Sequence, residues 1–103
     1  MTTLKSLGNA IIDLYKKKER ELATITSEIE KIENEGIELF KRRAEQMKQE
    51  LAEDTSVPYE KLDEEYKKRL AELRVSVRDE TQAKLDRFQE SVRNKIQNGE
   101  RLI

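Results

Sequence analysis

Apolar residues in the first half of the chain recur as Leu7, Ile11 and Leu14, then Leu22, Ile25, Ile29 and Ile32, then Phe40, Met47 and Leu51. Gaps of threes and fours are the spacing of one face of an α-helix. Lys18, Gly36 and Arg43 fall on the same stripe and interrupt it. The second half carries a matching stripe of Leu62, Tyr66, Leu70, Leu73, Val77, Thr81, Leu85, Phe88, Val92 and Ile96. Both stripes advance in steps of eleven, as in Tyr66 to Val77 to Phe88 and in Ile29 to Phe40 to Leu51. Eleven residues in three turns predicts straight or slightly right-handed winding, unlike the left-handed heptad coil.

The helical pattern stops once, in EDTSVPYEKLDEE at residues 53–65. Pro58 disfavours helical geometry at Val57 and clashes with the carbonyl four residues back, but is tolerated in a first helical turn. Asp54, Thr55 and Ser56 are good N-cap residues, and Glu60, Asp63, Glu64 and Glu65 place negative charge where a helix N-terminus favours it. A second helix is therefore expected from about residue 57. Residues 1–103 read as one all-α unit, a long antiparallel helical hairpin or coiled coil that assembles into a helical bundle. Arm 1 spans about 3–53, the turn 54–57 and arm 2 about 57–98, with a short C-terminal tail. The competing architecture is one continuous kinked rod.

If the chain folds back, facing residues have numbers with a constant sum. A sum of 113 centres the fold-back on Ser56–Val57 and pairs Leu51 with Leu62, Met47 with Tyr66, Phe40 with Leu73, Gly36 with Val77, Ile32 with Thr81 and Ile25 with Phe88. Gly36 reads most simply as a tolerated helix defect costing about 1 kcal/mol against alanine. The other readings are a close approach to a partner helix and a hinge. Asn98–Gly99 reads as a helix C-terminus, and the 113 register would put Gly99 beside Leu14 and Tyr15.

Composition narrows the class. Of 103 residues 42% are charged, 35% hydrophobic and 5% aromatic, with one proline and three glycines. That is too little apolar volume for a globule but enough for long helices burying one stripe. The 21 basic and 22 acidic residues are interleaved, which suits ion pairs along helix surfaces. A net charge of −1 gives no global pull toward nucleic acid or anionic membrane. Cysteine and histidine are absent, which removes disulfides, thiolate sites and the commonest general base. No run approaches the roughly 20 apolar residues of a membrane span, and the expected localisation is cytoplasmic.

Candidate chemistry is sparse. No nucleophile motif or phosphate-binding glycine loop is present, and no carboxylate pair has apolar surroundings suited to acid–base work. Glu33–Glu35–Glu38 and Asp63–Glu64–Glu65 lack calcium-loop spacing. No catalytic residue, metal or cofactor is expected. The N-terminal segment is more apolar than the rest. Leu4, Leu7, Ile11, Ile12, Leu14 and Tyr15, with Leu102 and Ile103 at the same open end, form the candidate partner-binding set. The expected partner is a second copy, as a dimer or higher, or another helical protein. A membrane surface is the alternative for Leu4–Tyr15, since Lys16–Lys17–Lys18 follows directly. Lys41–Arg42–Arg43 and Lys67–Lys68–Arg69 come to one level in the 113 register, with Arg74 and Arg78 further along. This basic band is the alternative, nucleic-acid-binding site, although acidic residues share the level and no stacking aromatics interleave.

KKRLAELRVSVRDETQAKLDRFQESV in the second arm resembles, in composition and eleven-residue period, the helical stalk of peripheral-stalk subunits in archaeal and vacuolar-type rotary ATPases. That resemblance implies long helices and a place in a stalk. It carries over no functional residue, and the Thr55–Ser56–Val57–Pro58 break departs from the family's unbroken helices. The expected function is a non-catalytic coiled-coil structural or adaptor subunit that self-associates or docks on partner helices.

Overall fold

The computed structural model describes residues 3–100. Helix α1 runs Leu4–Glu53, one 3-10 turn covers Tyr59–Lys61, and helix α2 runs Leu62–Gln97. The two helices fold back on each other as an all-α hairpin measuring 83 × 22 × 16 Å. No described helix is long and apolar enough to cross a membrane.

Thr3 starts α1 from an extended conformation, its hydroxyl accepting the Ser6 N–H at 3.1 Å. That satisfies one of the four N–H groups a helix leaves open at its start. The helices are then held internally by good helix formers and by surface ion pairs such as Asp63 with Lys67 and Glu65 with Arg69, both at 3.0 Å. Each such pair is worth only about 0.3–0.5 kcal/mol on an exposed face. Packing along the seam is therefore needed to hold the arms together.

The burial pattern shows where that seam lies. On α1 beyond Arg20 the half-buried or buried positions are Glu21, Ile25, Ile29, Ile32, Gly36, Phe40, Arg43, Met47 and Leu51, with Thr24, Glu28, Leu39 and Ala44 at the edge. On α2 they include Leu62, Tyr66, Leu70, Leu73, Val77, Thr81, Leu85, Phe88 and Val92. Both rows advance by the eleven-residue step read from the sequence. Among the described residues only Met47, Leu51 and Val77 are buried outright, all within the half of the hairpin nearest the turn. The seam thins away from the turn, and Leu22 and Ile96, expected on the two stripes, are exposed at its open end.

The turn differs from the sequence expectation in its capping. Asp54 ends α1 in an extended conformation and does not start α2. Its carboxylate accepts the Ser56 N–H at 2.9 Å and the Ser56 hydroxyl, closing a local loop. Pro58 is extended (φ −63, ψ 146), and its carbonyl accepts the Lys61 N–H at 3.0 Å. The 3-10 turn thereby leads into α2, which begins at Leu62 and not near residue 57, and which has no side-chain N-cap. Asp63, Glu64 and Glu65 do occupy the first turn of α2, where its dipole favours them.

This longer connection moves the register by one helical turn. Gly36 faces Thr81, not Val77: a β-carbon on Gly36 would overlap the Thr81 hydroxyl and lie 3.3 Å from its methyl group. The constant sum is thus 117, and the fold-back centres on Pro58–Tyr59. Gly36 is the close approach of the two arms, not a tolerated defect.

Gly99 ends α2 as expected. It adopts φ 70, its N–H reaches the Ile96 carbonyl at 3.2 Å, and the Glu100 N–H reaches the Lys95 carbonyl at 2.8 Å. This pair of bonds is the Schellman arrangement, which glycine adopts at little steric cost. Nothing lies within 4 Å of a β-carbon built on Gly99, so the expected neighbourhood with Leu14 and Tyr15 is not formed.

Candidate functional site

The arms are unequal. Helix α1 has 50 residues and α2 has 36, about 75 Å and 54 Å at 1.5 Å per residue. Counting outward from Gly36 and Thr81, Gln97 at the end of α2 lies level with Arg20. Residues 4–19 of α1 therefore project past the hairpin by about 24 Å. In this projection every side chain is exposed and only Gly8 is partly covered.

The projecting segment is the most apolar part of the surface. Leu4 is 89% exposed, Ile11 60% and Tyr15 64%, against 5% for Leu51 in the seam. Leu7, Ile12 and Leu14 are each about half exposed or more. Leu4, Leu7, Ile11 and Leu14 continue the seam stripe of Ile25, Ile29 and Ile32 along the same helical face. Tyr15 borders that face, and Ile12 stands off to its side. Lys18 interrupts the stripe between Leu14 and Leu22. Of the expected partner-binding residues of α1, Leu4, Leu7, Ile11 and Leu14 thus share one face left uncovered by the other described residues, with Tyr15 at its border and Ile12 off it. Leu102 and Ile103 lie outside the described residues.

The basic triplets do not come to one level. The register shift separates Lys41–Arg43 from Lys67–Arg69 by roughly 10 Å along the axis at 1.5 Å per residue. Most of these cations are also engaged by carboxylates. Arg43 meets Glu80 at 3.0 Å, Lys41 meets Glu38 at 3.5 Å and Lys67 meets Asp63 at 3.0 Å. Arg69 meets both Glu65 at 3.0 Å and Asp54 at 3.2 Å. Arg74, further along, lies over the Phe40 ring, 5.9 Å from its centroid. The triplets are therefore parts of a mixed-charge surface that ties the arms and the turn together.

Hydrogen bonding displaces the protonation of both partners in the Asp54–Arg69 contact. Hydrogen bonds from the Ser56 side chain and backbone, then from Arg69, hold the Asp54 carboxyl below the usual carboxylate range. Hydrogen bonds to Glu65 and Asp54 hold the Arg69 guanidinium more firmly protonated. Both residues are half-buried, and their geometry is that of a clip across the turn. Among the described residues no group of three or more carboxylates is arranged to hold a metal ion. The acidic runs at Glu33–Glu38 and Asp63–Glu65 are spread along helix surfaces, where Glu38, Asp63 and Glu65 face cations.

Comparison with protein-family models, with curated proteins and with solved structures yields no match.

Proposed function

We infer that this chain is a non-catalytic helical structural or adaptor subunit that self-associates or docks on partner helices within a larger assembly. The observation that carries this reading is the apolar stripe that continues past the end of α2 onto the uncovered residues 4–19. A stripe that α2 covers over about two thirds of its length and leaves bare over the rest invites a further helix. Exposed apolar surface of this kind marks interaction sites on monomers. The length of 83 Å suits spacing or bridging. A rotary-ATPase peripheral stalk is the assembly toward which the resemblance of the second arm points, and a cytoplasmic location accords with that placement.

Cross-linking followed by mass spectrometry of the chain recovered from its native cells tests this reading. Cross-links from Lys5, Lys16 or Lys17 to a second copy or to a helical protein are expected. Recovery with nucleic acid, together with duplex binding that falls steeply with salt, would replace it with the nucleic-acid reading of the basic triplets.

A further inference from the structure

The apolar face that α2 leaves bare is wider than the one it covers. Leu4, Leu7, Ile11 and Leu14 repeat the spacing of Leu22, Ile25, Ile29 and Ile32, which stand about five full turns further along α1. The residues beside the two stripes differ. Glu28, Glu30 and Glu33 flank the covered stripe, and at the equivalent positions of the projecting one stand Ala10, Ile12 and Tyr15. The apolar arc is thus about 80° wide where α2 covers it and about 200° wide on residues 4–15, at about 100° per residue. A helix seated on Leu4, Leu7, Ile11 and Leu14 would leave Ala10 and Ile12 bare on its two sides, whereas a flat apolar surface reaches the whole arc.

Charge says what kind of surface. Lysines mark both borders of the wide arc, with Lys5 and Lys16 just beyond Ile12 and Lys17 just beyond Ala10. Asp13, the one carboxylate in residues 4–17, points about 160° away from the centre of the arc. Among the described residues no carboxylate pairs with these three lysines, in contrast to Lys41, Lys67 and Arg69 on the hairpin. An apolar face bordered by lysines, with its acid turned away, matches an anionic interface. There the lysine stems lie along apolar surface while the ammonium groups meet lipid phosphates. We propose that residues 4–17 of α1 lie on an anionic lipid surface as an interfacial helix. The proposal goes beyond the reading of the chain as a helix-docking subunit, since it gives the projecting face a lipid occupant. The two fail separately: cross-links in native cells decide helix docking, and vesicles with the purified chain decide lipid binding.

The rest of the molecule limits how the segment lies. Lys18 falls within the arc and ends it, just before the level at which α2 stops. Because α2 ends on the same side of α1, a plane that touches both the projection and the end of α2 is inclined to the rod. The inclination is roughly 20° for axes about 8–10 Å apart and a projection of about 24 Å. Leu4, the most exposed of the apolar residues at 89%, then enters deepest, and the hairpin rises away from the surface. A single amphipathic segment of about four turns binds reversibly, and its lysines supply a large share of the affinity.

Flotation of the full chain with vesicles of mixed phosphatidylglycerol and phosphatidylcholine, and with vesicles of phosphatidylcholine alone, tests the proposal. Binding to the mixed vesicles that falls with added salt is expected, with little binding to phosphatidylcholine. Ile11→Asp should abolish it. Ile12→Gln, which a helix seated on the stripe would not feel, should weaken it several-fold. Lys5→Gln, Lys16→Gln and Lys17→Gln should each weaken it about fivefold. All these changes lie outside the hairpin, so its thermal melt should stay that of the wild type. Absence of binding to the anionic vesicles overturns the proposal. Binding that persists in both Ile11→Asp and Ile12→Gln places the lipid contact elsewhere and overturns it as well. Equal, salt-insensitive binding to both kinds of vesicle overturns the part given to the lysines. A chain that binds no vesicle but self-associates through Ile11 gives the face to a second copy. Cross-links from Lys5 or Lys16 to a helical protein, again without vesicle binding, give it to a partner helix.

Discussion

Gly36 of α1 sits against Thr81 of α2 with no room for a side chain between them. This contact sets the register of the whole hairpin. Carried along both arms, it places Phe40 level with Val77, Met47 with Leu70, Leu51 with Tyr66, Ile32 with Leu85, Ile29 with Phe88 and Ile25 with Val92. Arg43 and Glu80 then bridge the arms from the flank of the seam at 3.0 Å.

The contact makes a sign prediction. An alanine at position 36 gains helix propensity worth about 1 kcal/mol, but it collides with a β-branched side chain that cannot clear the space by rotation alone. Overpacking of this kind costs about 1–3 kcal/mol. Gly36→Ala is therefore expected to lower stability by about 0.5–1 kcal/mol. In a Thr81→Ala background, where the collision is gone, the same change should raise stability by about as much. Denaturant melts of the four chains check this double-mutant cycle, and equal effects in both backgrounds would place Gly36 elsewhere than against Thr81.

The turn clip predicts a pH dependence. The Asp54 carboxyl is held below its ordinary range by Ser56 and Arg69, so in the folded chain it stays ionised to lower pH than in the unfolded one. A group depressed in this way contributes stability above its unfolded pKa and loses it as pH falls through its folded pKa. The gap in melting temperature between the wild type and Asp54→Asn should be widest near neutral pH and should close below the ordinary carboxylate range. A gap that stays constant into acid would mean that Asp54 acts only by shape.

Replacing Val57–Pro58 with Ala–Ala tests what holds the fold-back. Pro58 keeps the chain extended between α1 and the 3-10 turn. Without it residues 54–61 are free to join the two helices, and the variant should shift toward arm exchange between chains, with a larger hydrodynamic radius. An unchanged radius and mass would show that the seam and the Asp54–Arg69 clip suffice.

The helices, the break and the two stripes were legible because they rest on local rules: three–four spacing, the geometry of Pro58 and the left-handed preference of Gly99. The register was harder to read. Stripes of equal period can be brought together one turn apart, and a sum of 113 was favoured by centring the fold-back on Ser56–Val57. The signal for 117 was nevertheless present, since that register pairs apolar with apolar in six layers where 113 sets Arg43 against Leu70 and Ile32 against Thr81. The 3-10 turn at Tyr59–Lys61 was not visible, because its sequence, YEK, also suits a first α-helical turn. The apolar character of the N-terminal segment was legible in its run of Leu4, Leu7, Ile11, Ile12, Leu14 and Tyr15. Its isolation was not, because a 113 register and a helix start near 57 make the arms nearly equal.

The most direct measurement is the distance between spin labels at Lys31 and Lys84 in one chain, diluted with unlabelled protein so that only intramolecular pairs are read. The two lysines flank one groove between the arms. With helix axes 8–10 Å apart and some label reach, the separation should be within about 20 Å. A continuous kinked rod would hold them about 80 Å apart at 1.5 Å per residue, and a distance of several tens of ångströms would contradict the hairpin and everything built on its register.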